Sequence, residues 1–295
     1  MKFLFLLLMF SLMVACVQKP AKKDLDFKVV LEDPLTEISG IKADGNDIWA
    51  ITDKPHAVAY KINKQGAILQ TVLVKNIEAV DVEAVTADSN FVYIGDVGDN
   101  DGTRQERQII KFSKAGAGTG KSPEVNGELI TFQFENEQLS DNKKENNYDC
   151  ESLLSMGDSL YLFTKRRGDH QCELFVLPKT AGHYTARSLG MFDTHGLITD
   201  ASINPQQNEV TLCGYNKGHQ FPFFIILKNF TGNHFFSGQQ QRIELANKPW
   251  DWQIEGVTYT ADNKIYFSCE ETPEVPSTLY GIKKANLFKL NKKGK

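Results

Sequence analysis

Cysteine and histidine are scarce in this chain, with five of the first and six of the second among 295 residues, and none stand at a C-x-x-C or Cys/His metal spacing. That excludes a thiolate- or imidazole-bound metal motif. No G-x-S-x-G stretch offers a nucleophile elbow, and His195 in DTHGL has no nucleophile beside it, so it reads as structural. A basic stripe is also missing. The 33 Lys and Arg are set against 37 Asp and Glu, a formal charge of -4 spread along the chain, which argues against a nucleic-acid polymer as partner. Helical periodicity is nearly absent. Two motifs fail on inspection. AGAGTGKS, residues 115–122, has Ala115 where a phosphate loop needs Gly, and it reads as a Gly-rich turn. DVGDNDG puts Val97 and Gln108 at the first and twelfth positions of a helix-loop-helix calcium loop, where carboxylates are needed.

What is present begins with MKFLFLLLMFSLMVAC. One Lys precedes an apolar run from Phe3 to Ala15, too short to span a bilayer and shaped like a secretory signal. Leu-Met-Val-Ala-Cys resembles a bacterial lipobox. The resemblance implies a signal peptide at 1–15, lipidation of Cys16, and a polar tether at 16–24. It makes the mature protein an exported lipoprotein, held to the cell envelope at the outer membrane by its lipid alone. A plain signal peptide is the other reading. Four cysteines then remain, Cys150, Cys172, Cys213 and Cys269. Disulfides in any of three pairings and buried free thiols both stay open.

The rest of the chain, 25–295, reads as one domain built on an internal repeat. Five segments stack: TEISGIKADGNDIWAITD from Thr36, DVEAVTADSNFVYIGD from Asp81, DCESLLSMGDSLYLFTK from Asp149, TDASINPQQNEVTLCGY from Thr199, and QIEGVTYTADNKIYFSCE from Gln253. Each gives a strand, a turn rich in Asp, Asn and Gly, and a second strand, and further strand-like runs follow. Four short strands repeated at this spacing predict an all-β fold, a five-bladed β-propeller. The last repeat ends at NLFKLN with three strands, so LDFKVVLE near the N-terminus is expected to supply its fourth and close the ring. The polar stretch 136–147 reads as a surface insertion in the second blade.

Aligning the repeats puts Ser39, Glu83, Glu151, Asp200 and Glu255 in one register at the head of the innermost strands, facing a central channel. Four carboxylates in one channel repel one another unless protonated or neutralised by a cation. An all-oxygen ring without Cys or His suits Ca2+. A water-filled channel whose carboxylates pair with backbone amides is the alternative. Asp53, Asp96, Lys165, Tyr215 and Glu270 end the second strands and open onto the same face. Lys165, Arg166, Arg167 and Lys217 could hold an anionic small molecule above the ion, with Tyr215 beside them.

These stretches are similar to those of the calcium-dependent apyrases, secreted nucleoside-diphosphate hydrolases with five blades, and they also resemble bacterial phytase-like and esterase-like propellers. In the apyrases the channel ligands are Ser, Glu, Glu, Ser and Glu in blade order. The resemblance carries these onto Ser39 in EISGI, Glu83 in DVEAV, Glu151 in DCESL, Asp200 in THGLITDASINP, where the family has Ser, and Glu255 in QIEGV. Arg166 and Arg167 in FTKRRG are similar to a paired-arginine stretch of those enzymes. The expected chemistry is hydrolysis of a phosphate-bearing or ester small molecule, with Asp53, Asp96 or Glu270 as general base. The alternative is a non-catalytic binding propeller with structural calcium. The oligomeric state stays open.

Overall fold

The computed structural model describes residues 25–139, 142–204, 206, 208–216, 220–245 and 252–290. The signal segment, the tether and Cys16 lie outside the described residues, as does Lys217. The described chain is nearly all β. It opens on β1 (Phe27–Val30), and the first repeat then gives β2 (Ile38–Asp44), β3 (Asp47–Thr52), β4 (Val58–Ile62) and β5 (Ile68–Val74). The second gives β6 (Val82–Ala87), β7 (Phe91–Asp96) and β8 (Arg107–Ser113), then a short helix α1 (Lys114–Ala117), β9 (Glu124–Val125) and β10 (Glu128–Phe134). The third runs through β11 (Cys150–Met156), β12 (Ser159–Thr164), β13 (Cys172–Pro178) and β14 (Gly182–Phe192). The fourth holds β15 (Leu197–Asn204), β16 (Glu209–Asn216), β17 (Gln220–Lys228) and β18 (Gln239–Glu244). The fifth has β19 (Ile254–Tyr259), β20 (Lys264–Cys269) and β21 (Thr278–Lys283), followed by α2 (Lys284–Leu290). None of the described helices is long and apolar enough to cross a membrane.

Within each repeat, consecutive strands pair antiparallel in sequence order, the pattern short turns dictate. The β2–β3 turn places Gly45 at φ 64°, and the β11–β12 turn places Gly157 at φ 56°, backbone that a Cβ penalises. Two parallel pairings join the outer edges of neighbours. β9 lies along β5, and β10 lies along β14, so the second and third repeats merge into one eight-stranded sheet. β1 pairs antiparallel with β21, from Phe27 opposite Gly281 to Val30 opposite Thr278, and so forms the outer edge of the fifth sheet.

The core lies between repeats. Each apolar cluster draws on two consecutive ones: Trp49 and Val72 with Val85 and Phe112, Tyr93 and Phe132 with Leu162 and Phe175, and Phe163 with Leu212 and Phe223. The series continues with Phe224 against Phe267, and with Ile41 and Tyr60 against Tyr266 and Leu279, which brings the fifth repeat onto the first. The inner strands follow the same order, β2 against β6, β6 against β11, β11 against β15, β15 against β19, and β19 against β2. Small residues allow the approach: a Cβ at Gly40 would lie 3.3 Å from the Val85 nitrogen, and one at Gly256 would lie 2.9 Å from Ile41 Cγ1. Side chains fasten the same seams, with Thr258 Oγ1 accepting from the Ala43 amide at 2.8 Å and Ser202 Oγ from the Tyr259 amide at 3.3 Å.

All four described cysteines are free thiols and fully buried, so of the two readings the sequence left open, no disulfide forms among them. His195 is exposed on a turn at φ 48°, its Nδ1 3.1 Å from Asp193. The end of the 136–147 insertion is not merely solvated: Asn146 is buried, donates to the Asp99 carbonyl at 2.5 Å and accepts from the Arg167 amide at 2.9 Å.

Candidate functional site

The site grows out of one local irregularity, repeated five times. Pairing between the first two strands skips a single residue in every repeat: Ser39 between Ile38 and Gly40, Glu83 between Val82 and Ala84, Glu151 between Cys150 and Ser152, Thr199 between Ile198 and Asp200, and Glu255 between Ile254 and Gly256. Such a bulge leaves its extra residue out of the ladder and re-aims the side chain. The ring is therefore Ser39, Glu83, Glu151, Thr199 and Glu255, and Asp200 is not its fourth member. Thr199 Oγ1 donates to the Ile254 carbonyl at 2.6 Å, just as Ser39 Oγ donates to the Val82 carbonyl at 3.1 Å. Each hydroxyl holds the residue before the next repeat's glutamate.

Asp200, one residue on, ties inner strands together. Its carboxylate accepts from the amides of Ala201 and Val257, both at 2.8 Å, and from that of Ile41, so it is paired with backbone. The signal for Thr199 was present in the sequence: the ring residue directly follows a buried apolar residue, Ile38, Val82, Cys150 or Ile254, and in the fourth repeat Ile198 precedes Thr199.

The second strands need the same correction once. Thr52, Asp96, Thr164, Gly214 and Cys269 lie opposite the residues before each bulge, so the next residues, Asp53, Val97, Lys165, Tyr215 and Glu270, form the neighbouring tier. Asp96 is one position out, and a shift of one turns a side chain to the other face. It is fully buried and accepts from Val80 N at 3.0 Å, Asp81 N at 2.9 Å, Arg104 Nη1 at 2.9 Å and Gln108 Nε2 at 2.7 Å. With four donors on it, Asp96 anchors the 97–107 loop and is no general base.

Around Lys165 the charges are paired. Lys165 is 3% exposed, and its ammonium donates to both oxygens of Glu151 and lies 5.1 Å from the centre of the Tyr215 ring. Burial alone would lower the Lys165 pKa, but Glu151, Tyr215 and Glu255 hold it well above the ordinary value. It serves as an internal counter-ion and not as a rim group reaching for a ligand. Tyr215 is likewise buried. The tandem arginines point to different partners: Arg166 is spent on Asp169 and Glu173 at 2.5 and 3.0 Å, whereas Arg167 pairs with Asp149 at 2.7 Å and lies 3.7 Å from Glu151. Arg167 alone adds positive charge to the ring.

On the side of the first two repeats the charges are not paired. Carboxylate oxygens of Asp53, Asp81 and Glu83 all lie within 4.8 Å of one another, and among the described residues no Lys, Arg or His forms an ion pair with them. Burial pushes the Asp81 carboxyl up to about 7, helped by Asp53 and Asp149. Glu83 is raised well above its ordinary range by burial and by Glu151, Asp53 and Asp81. Glu270 is pushed up to about 7 by burial and by Asp53 and Glu151, and accepts from Gln253 Nε2 at 2.6 Å. Burial also raises Glu255, against the pull of Lys165. These oxygen-only donors fit a hard divalent cation, and their pKa values are raised first by burial and then by mutual repulsion, the second of which such an ion would relieve.

Asp81 and Asp149 escaped the sequence reading although each opens its repeat. The shared signal is an acidic residue two places before the ring glutamate, in DVE and DCE. Gly98 lies against Asp81 and Glu83. A Cβ there would lie 2.5 Å from Asp81 Oδ2 and 2.7 Å from Glu83 Cγ. Gly98→Ala is therefore expected to push the two carboxylates apart and weaken any divalent-cation binding at this cluster by roughly tenfold or more, as displaced supporting groups do at metal sites. Titration calorimetry of the folded variant checks it.

The chain matches no protein-family model and no curated protein. Solved structures similar to it include a PQQ-bound aldose sugar dehydrogenase from Streptomyces coelicolor, at 10% identity over 88% of this chain and 97% of that one, with a TM-score of 0.48. Others are a lignostilbene dioxygenase from Pseudomonas brassicacearum, at 9% identity, 85% and 61% coverage and a TM-score of 0.42, and a sialidase from Streptococcus pneumoniae, at 7%, 81% and 36%, and 0.45. At these scores the likenesses assign no chemistry to this chain.

Proposed function

We propose that this chain is a five-bladed β-propeller, closed by β1, that uses a divalent cation, calcium, to hydrolyse a phosphate-bearing or ester small molecule. The cyclic succession of apolar clusters and inner strands supports the blade count. The observation that carries the chemistry is the convergence of Asp53, Asp81 and Glu83 with, among the described residues, no cationic side chain in an ion pair with them, beside a half of the ring where Lys165 already does that work.

Asp53, Asp81 and Glu83 would hold the ion, with Asp53 exposed at the mouth and Glu83 buried beneath it. A bound calcium supplies Lewis-acid polarisation of a phosphoryl or ester oxygen. Glu270, whose carboxyl burial and Asp53 raise in the ion-free protein, would take a proton from water as general base. Arg167 offers its guanidinium to negative charge. An anionic substrate would otherwise meet a mouth dominated by carboxylates, so anion binding is expected to depend on the cation. The exported, lipid-anchored location through Cys16 belongs to the same proposal, and it would set this chemistry in the cell envelope.

The test is turnover of aryl phosphates, nucleoside diphosphates and aryl esters by the mature protein, with calcium and with chelator. Calcium-dependent release of phosphate or alcohol, lost in Glu270→Gln with calcium binding intact, is the expected result. Calcium binding without turnover of any of these would leave a binding propeller.

A further inference from the structure

The two halves of the ring are balanced by different means, and the difference comes first from Lys165, with Arg167 3.7 Å from Glu151 adding to it. Ser39 and Thr199 spend their hydroxyls on backbone carbonyls, which leaves Glu83, Glu151 and Glu255 as the charged members. Glu151 is met by the Lys165 ammonium on both oxygens, and Glu255 acts electrostatically on the same ammonium. The Tyr215 ring lies beside it, an arrangement that favours a desolvated cation. The stem of Lys165 is fixed as well, since its amide donates to the Asp149 carbonyl at 2.7 Å directly after β12. Lys165, Glu151, Glu255 and Tyr215 are all nearly removed from solvent. A free ion has no room to sit where that ammonium sits.

We propose that Lys165 is a tethered cation occupying the third- and fifth-repeat half of the ring, and that it restricts divalent metal to the carboxylates of the first two repeats. Replacing the ammonium by an apolar group of similar length would leave Glu151 and Glu255 facing each other and turn that half into a second site for a divalent ion. The inference goes beyond the hydrolase reading: its statement about the first two repeats rests on the cation site proposed there, whereas the balance of Glu151 and Glu255 by Lys165 and the latent second site do not.

The experiment is thermal unfolding of the mature chain in chelator and in millimolar calcium, for the parent, Lys165→Met, Lys165→Arg, and Lys165→Met with Glu151→Gln. Each is made also with Asp81→Asn, which silences the first-two-repeat cluster. Lys165→Met is expected to melt about 10 °C lower in chelator, the scale of a broken buried ion pair in a domain this large. Calcium should restore at least half of that loss, also with Asp81→Asn present. Lys165→Arg should stay near the parent and gain no new calcium response. The variant that also loses Glu151 should recover stability without calcium. If Lys165→Met fails to fold in chelator, refolding with calcium supports the inference and refolding in neither condition overturns it. A loss that calcium does not repair, or an equal calcium response in Lys165→Arg, also overturns it. A parent without any calcium response speaks only against the metal in the first two repeats.

Discussion

Asp81→Asn combined with Glu83→Gln is expected to abolish the calcium-dependent rise in melting temperature and to reduce calcium-dependent hydrolysis by at least about a hundredfold, since even groups that only support a metal ligand cost up to that much. The amides keep the shape of the carboxyls and remove the charge. In chelator the same change should stabilise the protein near neutral pH, because it removes carboxyls that repel one another in the folded state. The direction with pH follows from the Asp81 pKa of about 7 in the fold. Between its ordinary value and 7 the folded protein holds a proton that the unfolded chain has released, so the contribution of Asp81 to parent stability is greatest at acid pH and declines as pH rises through that window. The double variant should show a flatter decline. Calcium needs the ionised carboxylates, so its stabilising effect on the parent should grow from pH 5 to pH 8. Melts across that range, with calcium and with chelator, check both trends.

Asp96→Ala is expected to cost about 3–5 kcal/mol, the range for stripping a buried charge from its partners. It would leave the Val80 and Asp81 amides, the Arg104 guanidinium and the Gln108 amide without their shared acceptor. Urea unfolding measures the loss. Asp96→Asn keeps an acceptor oxygen and should cost less. If Asp96 were the general base, Asp96→Asn would instead remove hydrolysis at nearly full stability. The expected pattern is the reverse, reduced stability with hydrolysis retained in whatever protein remains folded.

The repeats were legible because strand alternation and Asp-Asn-Gly turns are local signals, and the partnering of LDFKVVLE with the last repeat followed from a strand without a neighbour. The register errors at Asp200 and at Asp96 are slips of one residue, enough to turn a side chain to the other face. Asp96 ends β7 opposite Val82, and the residue equivalent to Asp53 is Val97, whose apolar side chain hides the register in the sequence. In the fourth repeat two polar residues stood in succession, and the charged one looked the better ligand. The ion pair between Lys165 and Glu151 joins two strands at their ends, so it could be found only with the register in hand. Arg166 and Arg167 looked equivalent as a pair, yet at the turn after β12 they diverge, one toward Asp169 and Glu173, the other toward Asp149 and Glu151. Asp81 precedes β6, where strand alternation carries no register, so its approach to Glu83 and Asp53 is a property of the fold.

The most direct measurement of the central claim is calorimetric titration of calcium into the mature protein near neutral pH, repeated with Asp81→Asn and with Glu151→Gln. The account predicts a saturable calcium site in the parent, its loss in Asp81→Asn and its persistence in Glu151→Gln, because Lys165 and not the metal balances Glu151. Absence of calcium binding in the parent, or binding that survives Asp81→Asn and disappears with Glu151→Gln, would contradict it.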